Sequence, residues 1–289
     1  MELRIGISGW RYAGWRGDFY PAGLAQRREL EYASRALTSI EINGSFYSLQ
    51  RPSSYQRWRA ETPDGFVFAV KGPRFVTHMK KLVGVDAALG NFFASGVLAL
   101  GPRLGPILWQ LPATFRFDAT RTADFFALLP RSTTEAARLG EKHDDKLADD
   151  RVFLDVDEDR PLRHCLEVRH PSFDSPEAYE LMRAHDIGCV VADSAGKFPM
   201  LTEATSDVVY VRLHGDTELY TSGYSDDALG RWAERIGEWR AAKRDVYVYF
   251  DNDAKASRRG MRCGSSRCCI RSTSRRNCSG SRALSRSTV

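Results

Sequence analysis

Cys165-Leu166-Glu167-Val168-Arg169-His170-Pro171-Ser172-Phe173 is the stretch from which the fold can be read. Side chains alternate between the two faces of a strand, so Leu166 and Val168 share one face while Cys165, Glu167 and Arg169 share the other. Pro171 has no N–H and biases His170 away from helix, so the strand stops there and Ser172 begins the approach to the next helix. The charges therefore sit at the carboxyl end of the strand. On a solvated face an acid and a base there carry no message; on the inner face of a closed barrel they line a pocket, and the remaining strands decide between the two.

Eight strand-like runs occur, at Leu3–Ser8, Ser39–Asn43, Phe66–Lys71, Pro106–Leu111, Cys165–Arg169, Gly188–Asp193, Val208–His214 and Asp245–Asp251. Between them Glu29–Leu37, Ser54–Ala60, Asp86–Leu100, Thr122–Leu129, Pro176–Ala184 and Asp226–Ala242 have apolar spacing near 3.6. The link around 196–205 is too short for a good helix. This rhythm calls for parallel strands with crossover helices. Within the runs, Ile5 and Ile7 oppose Gly6 and Ser8, Ile40 and Ile42 oppose Glu41 and Asn43, and Phe68 and Val70 oppose Ala69 and Lys71. Ile107 and Trp109 oppose Leu108 and Gln110, Val190 and Ala192 oppose Val191 and Asp193, Val211 and Leu213 oppose Arg212 and His214, and Val248 and Phe250 oppose Tyr249 and Asp251. One apolar face and one that turns polar at its end does not suit an open doubly wound sheet, whose strands are apolar on both faces. It suits a (β/α)8 barrel with its site at the carboxyl ends of the strands.

Closing the strands into a barrel gathers Glu41, Asn43, Lys71, Gln110, Glu167, Arg169, Asp193, Arg212, His214 and Asp251 at one rim, with His78 and His170 nearby. Buried charges must be paired, hydrated or held by a ligand, so the set reads either as a functional site or as an ion network that closes the barrel top. Glu41 and Glu167 are candidate acid/base partners, and His214 a candidate proton carrier near neutral pH. Strand spacing predicts Arg212 as the partner of Glu167 and Asp193 as the partner of Arg169. Glu41, Glu167, Asp193 and His214 could instead form a mixed metal shell, but Lys71, Arg169 and Arg212 disfavour further cations and favour an anionic ligand. Trp10, Tyr12, Trp15, Phe19 and Tyr20 in the first loop, with Phe46 and Tyr47 in the second, can stack on a sugar or base or form a lid; Trp10 is taken as a binding residue. Gly215, Thr217 and Ser222 offer a weak phosphate site, opposed by Asp226 and Asp227 in the next helix. No nucleophile elbow, P-loop, kinase set or HExxH motif is present, and the sequence names no cofactor.

The 289 residues, 43% of them hydrophobic, suffice for a full core. No apolar run is long enough to span a membrane, and Met1-Glu2-Leu3-Arg4-Ile5 enters a strand directly, so a cytoplasmic protein is expected. The net charge of +5 conceals nine Arg and no acid in residues 256–289, leaving 33 basic against 37 acidic residues before them. A body of this charge does not suit duplex nucleic acid. Cys165 and Cys189 lie in apolar strands and read as buried thiols; Cys263, Cys268, Cys269 and Cys278 fit no usual zinc spacing. Residues 132–163 start with a helical pattern and then turn strongly acidic, which reads as a solvated insertion.

The segments Ile5-Gly6-Ile7-Ser8-Gly9-Trp10, Ile40-Glu41-Ile42-Asn43-Gly44-Ser45-Phe46-Tyr47, Trp109-Gln110-Leu111-Pro112, Glu167-Val168-Arg169-His170-Pro171, Tyr210-Val211-Arg212-Leu213-His214-Gly215 and Tyr247-Val248-Tyr249-Phe250-Asp251-Asn252-Asp253 resemble the YecE-like proteins, also called domain of unknown function 72. The resemblance covers residues 3–255 and implies a TIM-type barrel; it implies no established activity. Asp251 stands where much of that family has Asn. After Lys255 the family continues into a last helix, whereas Ala256-Ser257-Arg258-Arg259-Gly260 opens an Arg/Ser/Cys-rich tail with no apolar stripe. Residues 256–289 are therefore expected to be irregular, out of register with the ancestral reading frame, and to leave Val246, Val248 and Phe250 exposed. The expected function is a hydrolase or lyase acting on a small anionic, sugar-bearing or nucleotide-like molecule at the barrel mouth. The rivals are a non-catalytic ligand-binding or regulatory barrel and, by fold-level analogy alone, a metal-dependent nuclease of the endonuclease IV kind.

Overall fold

The computed structural model describes residues 1–215 and 224–251. Strands β1 (Leu3–Ser8), β2 (Ser39–Ile42), β3 (Val67–Lys71), β4 (Leu104–Gln110), β5 (His164–Glu167), β6 (Ile187–Asp193), β7 (Val208–Leu213) and β8 (Asp245–Phe250) are parallel neighbours in chain order, and β8 pairs with β1 to close the barrel. Around them lie α1 (Glu29–Ala36), the short α2 (Gly44–Tyr47), α3 (Pro52–Glu61), α4 (Asp86–Ala94), α5 (Ala119–Leu128), α6 (Thr133–Gly140), α7 (Pro176–Ala184) and α8 (Asp226–Ala241). The β6–β7 connection carries no helix, as its length foretold.

Several helices start where side chains can satisfy free backbone N–H groups. Asp118, Ser132, Ser175 and Ser225 accept from Arg121, Glu135, Ala178 and Ala228, which fixes the first turns of α5, α6, α7 and α8. The apolar stripe of α8, Trp232, Ile236 and Trp239, covers Ile5, Val191, Val209, Val211, Leu213, Val246 and Val248 on the outer face of the sheet. Val246 and Val248 are thus buried, against the expectation of exposure, because α8 itself covers them; Phe250 is half-buried. The tail 256–289, the last helix and the frame question lie outside the described residues.

The barrel interior is a second apolar layer of Val67, Ala69, Leu108, Cys165, Val190, Ala192, Val208, Tyr210, Tyr247 and Tyr249. Tyr210 and Tyr249 lie with ring centroids 4.9 Å apart, and Tyr249 shares a 2.7 Å hydrogen bond with Ser39. The packing is tight enough that a Cβ at Gly6 would fall 1.9 Å from the Ser39 carbonyl oxygen. Cys165 and Cys189 are buried free thiols, and burial pushes both up, Cys189 to about 12.

The acidic segment is docked against the barrel helices. Asn91 on α4 exchanges hydrogen bonds with Asp144, Asp159 accepts from the Thr134 backbone N–H, and Arg160 pairs with Asp157 and Glu158. Many of its charges are therefore taken up locally. Among the described residues no helix is long and apolar enough to cross a membrane.

Candidate functional site

Above the tyrosine layer each strand except β6 contributes a polar group to the interior: Ser8, Glu41, Lys71, Gln110, Glu167 and Arg212, with Asp251 just past β8. All are buried. Parallel register carries the phase from strand to strand, since Ser8 pairs with Glu41, Gln110 with Glu167, and Arg212 with Ala192. That last pairing corrects the expectation for Asp193. Asp193 pairs with the outward Leu213, while Val190 and Ala192 pack inside with Tyr210 and Tyr249. The Val190-Val191 pair gives no polarity contrast, so alternation could not phase β6. Asp193 instead accepts from Tyr224 Oη at 3.0 Å, and it is not the partner of Arg169.

Arg212 is the centre of the site. Its Nε and Nη2 meet Glu41 Oε2 and Oε1 at 3.0 and 2.9 Å, Nη1 meets Glu167 Oε2 at 2.7 Å, and Nη2 meets Asp251 Oδ2 at 2.7 Å. The expected Glu167–Arg212 pair is therefore present, within a larger cluster. Ser8 and Tyr210 donate to the remaining lone pairs of Glu41, and Asn43 Nδ2 donates to Ser8 at 2.6 Å. Gln110 Nε2 and Arg169 Nε each reach Glu167 Oε1 at 2.8 Å. Sequence reasoning missed Ser8 and Tyr210 as members, although both sit on the inward phase of their strands. Asn43 Oδ1 is buried without a hydrogen bond among the described residues.

The electrostatics follow from this packing. Burial would lower the Arg212 pKa, but Asp251, Glu41 and Glu167 raise it well above its ordinary value. Burial would likewise raise Glu167 and Asp251; Arg212 beside both holds them below the usual carboxylate range, aided by Arg169 for Glu167 and by His214 for Asp251. His214 Nδ1 stands 3.0 Å from Asp251 Oδ2.

Lys71 behaves differently. It is 8% exposed, and none of the ion pairs among the described residues includes it. Its Nζ lies 4.3 Å from the centre of the Phe46 ring. Burial, and then Arg212, push its pKa from 10.5 to about 8. His78, whose ring meets Phe46 at 5.1 Å, is pushed down to about 4 by burial and by the cations Lys71, Arg169 and Arg74. Arg169 also lies over the Phe198 ring at 4.7 Å. Phe46 further lines a groove of about 760 Å³ with Tyr47, Arg74, Phe75 and Met79.

Other expected members lie apart. Trp10 packs edge-on to Trp58 at 5.2 Å and against Phe68, between the barrel and α3, and its ring is part of the apolar core. The loop turns back there because Gly9 adopts φ 79°, with Tyr12 Oη bonded to the Ser8 carbonyl. Trp15, Phe19 and Tyr20 also pack on one another. His170 accepts from the Ser172 backbone N–H at 3.1 Å and so shapes the turn after β5. Gly215 is within the described residues; Thr217 and Ser222 are outside them.

The mixed metal shell considered from sequence does not assemble: Asp193 lies on the other face, and Glu41 and Glu167 are directed at Arg212. Among the described residues no group of three or more His, Cys, Asp or Glu could hold a metal ion.

Comparisons with known proteins agree with this architecture. The family described as "Protein of unknown function DUF72" matches residues 4–259. The UPF0759 protein YunF of Bacillus subtilis is 25% identical over 282 residues, which is 87% of this chain and 89% of that one. The UPF0759 protein YecE of Escherichia coli is 32% identical over 113 residues, 39% of each chain. Among solved structures, a DUF72 family protein from Thermotoga maritima has a TM-score of 0.71 at 24% identity, covering 91% of this chain and 98% of that one. One from Enterococcus faecalis has a TM-score of 0.69 at 14% identity, covering 92% and 95%. At those identities the two structures speak for the fold alone.

Proposed function

The chain belongs to the family described as protein of unknown function DUF72, and we propose that it is an enzyme, a hydrolase or lyase, that acts on a small anionic substrate at the carboxyl-end mouth of the barrel. The observation that carries this reading is a buried lysine at the mouth, Lys71, with no direct ion-pair partner among the described residues. Arg212 takes direct ion pairs from Glu41, Glu167 and Asp251, and Arg169 takes one from Glu167, whereas Lys71 meets those carboxylates only at longer range and joins Arg169 and Arg74 in depressing His78. A buried ammonium without a counterion is costly unless a ligand supplies one.

In this reading Lys71 and Arg169 hold the anion, and Asn43, with its unpaired Oδ1, accepts a ligand hydrogen bond. His214, oriented by Asp251, transfers the proton. Glu41, fully buried with both oxygens engaged, and Glu167, 1% exposed, fix Arg212 and Arg169 in place rather than exchange protons with substrate. Gln110 orients Glu167.

The test is a thermal-shift panel of sugar phosphates, inorganic phosphate, small carboxylates and neutral sugars, since a ligand that binds the folded state raises stability by mass action. Anions should stabilise the wild type and lose most of that effect in Lys71→Met and Arg169→Met. Equal stabilisation by neutral sugars, or an anion response that survives in both variants, refutes the reading. Turnover of a stabilising compound, abolished in His214→Asn, separates an enzyme from a binding barrel.

A further inference from the structure

We propose that Lys71 is a covalent catalyst, whose ε-amine adds to the carbonyl carbon of a small substrate that also carries a carboxylate or phosphate. This rests on the anionic-substrate reading above and narrows it to carbonyl compounds and to the lyase class.

The geometry separates Lys71 from the other buried charged groups at the mouth. It projects from the end of β3 on the inward face, where TIM-type barrels place reacting groups. The carboxylates that could have paired with it, Glu41, Glu167 and Asp251, are all drawn onto Arg212. Phe46 packs beside the amine, and Arg212 supplies a second cation that disfavours the ammonium form. An amine desolvated by an aromatic wall and set near a permanent cation is the arrangement that makes lysine a nucleophile. Glu41, Glu167 and Asp251 favour the ammonium at longer range, but burial and Arg212 outweigh them, so part of the amine is neutral and able to add to a carbonyl. With its pKa pushed to about 8, roughly a tenth of the amine is neutral at pH 7, against a few parts in ten thousand for an ordinary lysine.

The step balances without an oxidant or reductant. The nitrogen lone pair forms the C–N bond while the carbonyl π pair moves to oxygen, which takes up a proton; nitrogen loses a proton. A second proton, taken from solvent, carries that oxygen away as water while the nitrogen pair forms the C=N bond, which leaves a protonated imine. The iminium then accepts the electron pair of an adjacent breaking C–C or C–H bond, the lost fragment departing as carbon dioxide, a carbonyl compound or a proton; the enamine so formed takes a proton at carbon, and addition of water to the restored iminium releases the product and returns the amine. Arg169 is placed to hold the substrate's anionic group. His78 has Nδ1 bonded to Thr77 Oγ1 at 2.9 Å, and at neutral pH it is an uncharged imidazole that can relay the protons of the amine to solvent, while His214 serves the substrate.

The experiment is reductive trapping on the full-length protein. Pyruvate, glyoxylate and dihydroxyacetone phosphate are each added with sodium borohydride, acetone serves as a carbonyl without charge, and modified lysines are mapped by peptide mass spectrometry. Lys71 should be labelled in preference to the exposed Lys80 by at least about tenfold at pH 7, with the anionic probes favoured over acetone and the label absent in Lys71→Arg. Mapping of the wild type decides the matter even if that variant folds poorly. Label spread over surface lysines with no preference for Lys71 overturns the proposal. No label, together with stabilisation by inorganic phosphate, overturns the covalent step and leaves the anion site standing. No label and no anion binding of any kind overturns both.

Discussion

Replacing Lys71 with Met should make the protein more stable. Met has nearly the length of the lysine stem and no charge, so the variant keeps the packing against Phe46 and removes the buried ammonium. A folded-state pKa of about 8 against 10.5 means that the native protein disfavours the charged form by about 3 kcal/mol. The sign follows from proton counting. Below pH 8 the lysine is charged in both states and the native state bears the whole penalty. Between pH 8 and 10.5 the unfolded chain binds more protons than the native one, so stability rises with pH across that window. Lys71→Met should therefore exceed wild type by up to about 3 kcal/mol at pH 7, or about 6–12 °C in melting temperature for a domain of this size, and the gap should close by about pH 10.5. Denaturant melts of both proteins at pH 7, 9 and 10.5 measure it. A variant that is less stable than wild type at pH 7, by an amount that does not change with pH, would show that the ammonium is compensated in the native state and would remove the physical basis for a reactive amine. Stability gained together with loss of ligand response is the exchange expected of a functional residue.

Glu41→Gln should act in the opposite direction. It sets an amide NH2 group against the donors of Ser8, Tyr210 and Arg212 that Glu41 now accepts, in a site with 0% exposure at residue 41, and the loss should be about 3–5 kcal/mol by denaturant melt; a loss under about 1 kcal/mol would mean that the cluster is not held as described. On the acid side, Glu167 and Asp251 are held below their unfolded values, so their stabilisation is complete above about pH 5 and is lost progressively as pH falls through and below about 4. Melting temperature against pH should fall steeply there, and a flat profile down to pH 3 would contradict the Arg212 network. Trp10→Ala should lower stability by about 3–5 kcal/mol through loss of packing on Trp58 and Phe68, while any anion-induced shift persists in the folded fraction; a stable variant with no anion response would restore Trp10 to the ligand site.

Much of the barrel could be read from alternation because most strands set an apolar face against one that ends in charge, as in Ile40-Glu41-Ile42 and Val211-Arg212-Leu213. The reading failed at Val190-Val191, where both faces are apolar and only the register against β7 fixes the phase. The packing of Trp10 was hidden for a different reason: its position just after a strand suits either a mouth residue or a core residue, and its contact with Trp58 lies far along the chain. The list of inward charges was legible, and so was the Glu167–Arg212 pair. Their hierarchy was not, since local spacing does not reveal that Glu41, 171 residues from Arg212, would take two of its hydrogen bonds, or that Lys71 would be left without a counterion. The pairing of Arg169 with Glu167, two residues back on its own strand, was likewise hidden by an expectation of cross-strand partners.

The Arg212 cluster also bears on how the barrel opens. One guanidinium on β7 joins carboxylates from β2, β5 and the end of β8, so none of these four segments can swing away alone without stranding a buried charge. Fraying at the upper rim is thereby converted into an all-or-none event, and backbone amides near the carboxyl ends of these strands should share a single high opening free energy in hydrogen exchange. In Glu41→Gln the amides of β2 should fall out of that group first. The side chains that shape the mouth of this barrel thus also set the size of the smallest unit that can unfold around it.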